Sequence, residues 1–301
     1  MKTLAQTLVK TLTSRAAREA VPGTEGRRIM VYAIFSASVL LAVGTVYAAA
    51  IGWLYFWQER LLFEPAPLAI DDPVCSDADT REFFIDVPGA RLSVAHLRLE
   101  RPRGVFFFLH GNSGNLKKWF TDLDAFRQAN FDVVMFDYRG FGKSSGEIES
   151  EEQLRADVCA VWEHFAPHYA GKRVVISGQS LGTGLAAGLA AQLCAAGHAP
   201  DLTLLVSPYS SMRALAAELY PWVPEKVLRY PLHTLEHAAK LLGPVMLIHG
   251  SKDELIPIHH SETLCKSMRR AELLRVDGAG HSDVHQYPSV RKALVAALGR
   301  L

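Results

Sequence analysis

Residues 174–184, Val174-Val175-Ile176-Ser177-Gly178-Gln179-Ser180-Leu181-Gly182-Thr183-Gly184, constrain the fold of this chain more than any other stretch. The apolar, β-branched start predicts a buried strand. Residues 185–195 are rich in Ala and Leu and predict a helix. Between the two, Ser180 is flanked at ±2 by Gly178 and Gly182. Strand, tight turn and helix is the setting in which G-x-S-x-G carries chemistry. A serine at the tip of such a turn is pushed toward positive φ, which is strained for a residue with a Cβ. Neighbouring backbone crowds the turn, and the flanking glycines leave room for it. The turn holds the Ser180 hydroxyl out of the sheet. It also aims the Leu181 N–H, at the helix N-terminus, toward developing negative charge.

The rest of the chain supplies a sheet for that strand. Apolar runs at 105–109, 133–136, 202–206, 245–248 and 273–276 read as strands, the first two buried on both faces. Residues 116–128, 151–165, 258–268 and 289–298 read as helices between them. Residues 81–87 and 91–98 alternate apolar and polar side chains around Pro88-Gly89-Ala90 and read as a hairpin. The expected fold is α/β: a mostly parallel central sheet with helices on both faces and an antiparallel start.

Residues 29–57 carry no charge. That run exceeds the roughly 20 residues a helix needs to span a bilayer and the roughly 7–15 of a signal-peptide core. Trp53, Tyr55, Phe56 and Trp57 cluster at its far end as an interfacial belt would. Gln58-Glu59-Arg60 follows in place of a small-residue cleavage site, so the run is read as an uncleaved transmembrane anchor. Gly44 and Gly52, eight residues apart, do not make a dimerisation face. Residues 1–28 form a basic tail, with Leu4, Leu8 and Leu12 spaced for a weakly amphipathic helix or a solvated tail. Six Lys or Arg precede the span, and only Arg60 follows before Arg81. This bias places the N-terminus in the cytoplasm and the bulk of the chain outside it, in the periplasm if the cell is Gram-negative and in a lumen or the exterior otherwise. Residues 58–80, rich in Pro and Asp, are expected to connect the anchor to a domain at 81–301.

A serine nucleophile needs a base and a carboxylate that orients it. In open α/β sheets such groups gather beyond the carboxyl ends of the strands. Asp253, in the loop leaving the 245–248 strand, is the candidate acid, with Glu254 beside it. His281, on the glycine-bearing loop after the 273–276 strand, is the candidate base, with His285 as rival. Asp277 and Asp283 are rival acids too close in sequence to His281. The order Ser180, Asp253, His281 matches the order known for this kind of site. The Asn112 backbone N–H, after His110-Gly111, is the expected second oxyanion donor beside Leu181. His110 is expected to pin that loop, and Tyr138-Arg139-Gly140 to brace loops or, through Tyr138, face substrate.

Other chemistries lack their motifs. A net charge of +1 gives no field for nucleic acid. Cys75, Cys159, Cys194 and Cys265 show no C-x-x-C spacing, and buried free thiols are expected on the helices. No H-E-x-x-H, phosphate loop or strand-linked G-x-G-x-x-G occurs. His259-His260 is read as solvated and not metal-binding.

Taken in order, His110-Gly111-Asn112, Asp137-Tyr138-Arg139-Gly140-Phe141-Gly142-Lys143-Ser144-Ser145-Gly146, Gly178–Gly182, His249-Gly250-Ser251-Lys252-Asp253 and Gly278-Ala279-Gly280-His281 resemble the α/β-hydrolases. More narrowly, the chain is similar to the membrane-anchored Bem46-like (ABHD13- and ABHD17-like) group, also labelled serine aminopeptidase S33 or lysophospholipase-like. Glu59-Arg60-Leu61-Leu62-Phe63-Glu64-Pro65 and Ser207-Pro208-Tyr209-Ser210-Ser211-Met212 share in that resemblance, which covers about residues 59–299. It implies a Ser-Asp-His triad at Ser180, Asp253 and His281, no cofactor and no metal, and cleavage of acyl esters or thioesters. It also implies a short lid insertion at about 208–243, whose aromatic residues either line an acyl pocket or pack the lid down. The expected activity is that of a serine hydrolase on lipid-like acyl substrates. An S33-type peptidase and a non-catalytic membrane scaffold are the alternatives.

Overall fold

The computed structural model describes residues 24–301. Most of the basic tail expected at 1–28 therefore lies outside the described residues. Thr24–Leu62 is one 39-residue helix, α1, long and apolar enough to cross a membrane. The chain divides into two compact units at Leu54, and everything from Tyr55 onward belongs to the second.

The second unit is built on an eight-stranded sheet. Its strands in chain order are β2 (Thr80–Val87), β3 (Ala90–Leu97), β4 (Gly104–Leu109), β6 (Phe131–Phe136), β7 (Arg173–Gln179), β8 (Leu202–Val206), β9 (Val245–Gly250) and β10 (Ala271–Val276). The short strands β1 (Glu64–Pro65) and β5 (Ser113–Gly114) form a separate parallel pair. Across the large sheet the order is β10-β9-β8-β7-β4-β6-β3-β2. β3 runs antiparallel to both of its neighbours, and the pairs from β6 to β10 are parallel. The antiparallel start comes from the expected hairpin. Pro88 and Gly89 make its turn, and Gly89 takes the positive φ (77°) that a type II turn requires of its second central residue.

Helices cover both faces. α4 (Glu151–Phe165), α5 (Leu181–Ala195) and α8 (His259–Ser267) pack on one core; α2 (Leu116–Trp119), α3 (Asp124–Ala129) and α9 (Pro288–Gly299) pack on the other. β4 shows why its apolar run is unbroken: Val105, Phe107 and Leu109 point into the first core, and Phe106 and Phe108 into the second. α6 (Met212–Leu219) and α7 (Thr234–Ala238) lie within the expected lid insertion.

The helix expected at 116–128 is two short helices. The Asn115 side chain caps α2 by accepting the Lys117 N–H (3.0 Å), and the chain then breaks, with Asp122 at φ 53°. The break frees Trp119 to pack over His110, 6.0 Å between ring centroids, and to donate its Nε1–H to Ser113 O (2.7 Å). Tertiary contact at the loop after β4 outweighs helix propensity here. The four cysteines are unpaired; Cys194 is buried, and Cys159 is only half-buried.

Candidate active site

Because the strands from β6 to β10 are parallel, their carboxyl ends lie along one edge, and the loops leaving them meet there. Ser180 alone makes the turn between β7 and α5, with φ 51° and ψ −120°. That is a strained backbone for serine, and the surroundings hold it. Its N–H donates to Val206 O on β8 (2.9 Å), and its carbonyl accepts from Thr183 N–H (3.0 Å) and Thr183 Oγ1 (2.6 Å). A Cβ on Gly178 would collide with Gly182 O, and one on Gly182 with Leu109 O. Both glycines are therefore required by the close approach of backbone to the turn.

The three residues proposed from spacing come together. His281 Nε2 lies 2.9 Å from Ser180 Oγ, and His281 Nδ1 lies 2.8 Å from Asp253 Oδ2. With the carboxylate at Nδ1, the ring proton sits there and Nε2 is left to accept the serine proton. Asp253 is buried, whereas the His281 side chain is 17% exposed, so the imidazole opens to solvent and the carboxylate does not. Burial pushes the Asp253 carboxyl upward. Hydrogen bonds from His249, His281 and the Ile256 N–H outweigh it and hold the group well below the usual carboxylate range. Gly250 lets the two loops meet, since a Cβ there would strike Ala279 O; Lys252 N–H donates to that same carbonyl (2.9 Å).

The rivals fall elsewhere. Glu254 and Asp277 are exposed, and Asp283 Oδ1 accepts the Gly280 N–H (2.7 Å). His285 sits exposed on a one-turn 3₁₀ helix, Val284–Gln286. Spacing did not single out His249, which is fully buried at the end of β9. Its Nε2 reaches Ile256 O (2.8 Å) and lies 3.3 Å from Asp253 Oδ2, while its Nδ1 reaches Ser261 Oγ (2.7 Å). The signal was its place at the end of an apolar run, four residues before the acid.

The loop after β4 lies against the serine, for a Cβ on Gly111 would be 3.6 Å from Ser180 Cβ. His110, fully buried, donates Nδ1–H to Gly111 O (2.7 Å). That carbonyl belongs to the peptide whose N–H is that of Asn112, so the ring sets the direction of the donor. Tyr138 braces the same loop: it is fully buried and its OH donates to His110 O (2.8 Å). Behind the ring, Asp137 Oδ1 lies 3.6 Å from His110 Nε2. Burial lowers His110 to about 4 and raises Asp137 to about 8, so both are neutral near pH 7. On the other side of the turn, Tyr209 OH donates to Leu181 O (2.9 Å).

The segment expected as a lid, 208–243, divides its apolar residues. Tyr209, Leu215 and Tyr230 are buried, whereas Leu219, Tyr220 and Trp222 are 41%, 54% and 52% exposed. Glu218, on α6, meets His259 and His260, and among the described residues these three have side chains placed as metal ligands could be. The expectation that both histidines are solvated holds for His259 only. His260 is buried because the first turn of α8 carries it inward. Ser210 N–H is directed at His260 Nδ1 (3.3 Å), which leaves the ring proton on Nε2, facing Glu218 Oε2 at 3.6 Å. That is an imidazole–carboxylate pair.

Sheet order, serine turn and loop positions are those of the α/β-hydrolase fold. Solved structures share this fold. An esterase of Pyrococcus furiosus matches with a TM-score of 0.62 at 17% identity over 79% of this chain and 97% of its own. A monoacylglycerol lipase of Paleococcus ferrophilus matches with a TM-score of 0.55 at 18% identity over 69% and 98%. A family model described as serine aminopeptidase, S33 matches residues 100–230. By sequence the chain is 33% identical over 186 residues to alpha/beta hydrolase domain-containing protein 17B of Xenopus laevis, covering 60% of this chain and 61% of the relative. It is 28% identical over 264 residues to an uncharacterized protein of Mycobacterium tuberculosis, covering 81% and 88%. The chain has the α/β-hydrolase fold and is similar in sequence to alpha/beta hydrolase domain-containing (ABHD) proteins, of whose length it spans about three-fifths.

Proposed function

We propose that this chain is a membrane-anchored serine hydrolase that cleaves carboxylic ester or thioester bonds of lipid-like or acylated substrates. The observation that carries the reading is the continuous line from Ser180 Oγ through both nitrogens of His281 to the buried Asp253 carboxylate. Ser180 attacks the acyl carbonyl while His281 Nε2 takes its proton. The Asn112 and Leu181 N–H groups receive the oxyanion. The tetrahedral intermediate collapses, and His281 returns the proton to the departing alcohol or thiol. Water, deprotonated by the same nitrogen, then releases the acid from the acyl-enzyme. Asp253 holds the tautomer and the imidazolium that forms.

Residues 29–57 serve as the anchor, with the N-terminus cytoplasmic and the hydrolase domain outside. A reporter that works only in the cytoplasm, fused after Leu301, stays silent on this reading; a working reporter reverses the orientation. An enzyme tethered beside a bilayer is well placed for lipidated substrates. The match to a model described as a serine aminopeptidase favours a second reading, hydrolysis of peptides from a free amino terminus. Esters of graded acyl length assayed beside aminoacyl amides separate the two. A fluorophosphonate probe on detergent-solubilised protein tests the nucleophile: wild type labels and Ser180→Ala does not. Equal turnover by a folded Ser180→Ala protein discards the assignment, and an unlabelled, folded wild type favours a scaffold.

A further inference from the structure

A Pro- and Asp-rich connector after a membrane span needs only to reach the domain. The structure instead docks the first part of this connector, 58–66, against residues 227–230 and the loop after β4. Gln58, though polar and at the end of a long exposed helix, is 6% exposed. Its Nε2 donates to Val227 O (3.1 Å), and its Oε1 accepts the Arg229 N–H (2.8 Å). Glu59 Oε1 receives Arg229 Nη1 (2.5 Å) and Tyr230 OH (2.9 Å). Phe63, 5% exposed, meets the Tyr230 ring edge-on with 5.3 Å between centroids. These contacts fasten the connector to the lid. The next residues fasten it to the oxyanion loop. Glu64 N–H donates to Asn112 O (2.7 Å), and Ala66 N–H to Gly114 O (2.9 Å). The side chain of Asn115 returns a bond to Ala66 O (3.0 Å).

The bond from Glu64 decides the matter. Asn112 is the expected oxyanion donor, and the two peptides that meet at its Cα are each held by a carbonyl. Gly111 O is held by the His110 ring, and Asn112 O by the Glu64 N–H. With both carbonyls fixed, the Asn112 N–H has one direction. Without Glu64, one of the two peptides is free to rotate. Preorganised donors contribute to catalysis only while their direction is fixed before the charge develops.

We propose that residues 58–66 are a positioning element of the active site: the Glu64 N–H aligns Asn112 for the oxyanion while Gln58 and Glu59 hold the lid at 227–230. The inference rests on the serine-hydrolase reading. It makes turnover depend on the connector staying docked, so that the anchor's exit is part of the working enzyme and not a leash. The test uses the full chain in detergent. Glu64→Pro deletes this one N–H, and Glu64→Ala, which keeps it, is the rescue. Expected is a fall in kcat of about tenfold or more for Glu64→Pro on a short acyl ester, with KM little changed and wild-type kcat restored in Glu64→Ala. Fluorophosphonate titration of Ser180 gives the active fraction, so a loss by misfolding does not count as a loss of kcat. A backbone ester in place of the 63–64 amide, which removes the same N–H without fixing φ, replaces Glu64→Pro if that variant does not fold. A kcat for the proline variant within twofold of Glu64→Ala overturns the proposal while labelling of wild type leaves the hydrolase standing. A wild type that neither labels nor turns over ester removes both.

Discussion

His110→Phe isolates the device behind the oxyanion loop. The ring of His110 packs against Tyr138, Phe141 and Trp119, with centroids 4.1, 5.4 and 6.0 Å away, and phenylalanine keeps that aromatic packing. What it lacks is the Nδ1–H given to Gly111 O at 2.7 Å. Two costs follow. A buried acceptor that loses its donor costs about 1–3 kcal/mol of stability. Taking about 2 kcal/mol, Tm falls by roughly 4–8 °C for a domain of this size. The second cost falls on the reaction. Complete removal of one oxyanion donor costs about 10²–10³ in kcat in the best-studied cases. Here the donor remains but one of its two restraints is gone, since Glu64 still holds Asn112 O. The expected fall in kcat is therefore about ten- to a hundredfold. KM changes little, because the ground-state carbonyl carries little of the charge that the N–H receives. Steady-state hydrolysis of a short p-nitrophenyl ester, with thermal unfolding alongside, measures both. A variant that unfolds earlier but keeps wild-type kcat would show that His110 holds the loop without aiming it, and the argument for the donor peptide would fail.

Other perturbations reach the same edge of the sheet. Asp253→Asn removes the acceptor that fixes the His281 tautomer and should lower kcat by about 10⁴ in ester assays. Because Asp253 is held below its ordinary value, wild type loses that stabilisation as pH falls from about 4, and the variant should not; acid unfolding curves compare the two. Asp137 works in the opposite sense. Its folded value, raised to about 8, means that its share of stability is full below about 4 and lost as pH rises to about 8. Asp137→Asn should flatten the decline of Tm across that range, and an unchanged decline would show that Asp137 is ionised in the folded protein. Gly182→Ala drives a Cβ into Leu109 O, so the start of α5 and the end of β4 must separate. Overpacking of this kind costs about 1–3 kcal/mol or more, and a wild-type Tm would refute the reading of that glycine.

Much of this was legible before any coordinates, for identifiable reasons. The glycines at 178 and 182 left a mark because backbone crowding excludes every other residue there. The buried strands left one because both faces of the sheet are covered. Asp253 and His281 were legible because the parallel strands bring their loops to one edge. Long-range packing left no such mark. Nothing local at 116–128 says that Trp119 will be drawn over His110, so the helix read there breaks in two. Gln58 and Glu59 look like any polar exit from a membrane span. Their partners, Val227, Arg229 and Tyr230, are about 170 residues away. His249 touches Asp253 but not Ser180, a distinction that depends on which ring nitrogen meets which atom.

The histidines of this edge show why residue types alone do not define a catalytic pair. Asp253 faces His281 at 2.8 Å and His249 at 3.3 Å; Asp137 faces His110 at 3.6 Å. Both acids are buried, and burial pushes both upward. The difference is the number of donors. Asp253 receives Leu255 N–H and Ile256 N–H on one oxygen and imidazole N–H on the other, enough to keep a charge in a dry site. Neither oxygen of Asp137 has a hydrogen-bond partner to set against its burial, and it keeps its proton. On the proposed mechanism, a carboxylate that stays charged stabilises the imidazolium formed at His281 in each half-reaction. A carboxyl that stays neutral places no such charge beside His110, whose ring also remains neutral and continues to give its Nδ1–H to Gly111 O. One edge of the sheet thus carries two Asp–His pairs of opposite ionisation, one suited to moving a proton and the other to holding a peptide still.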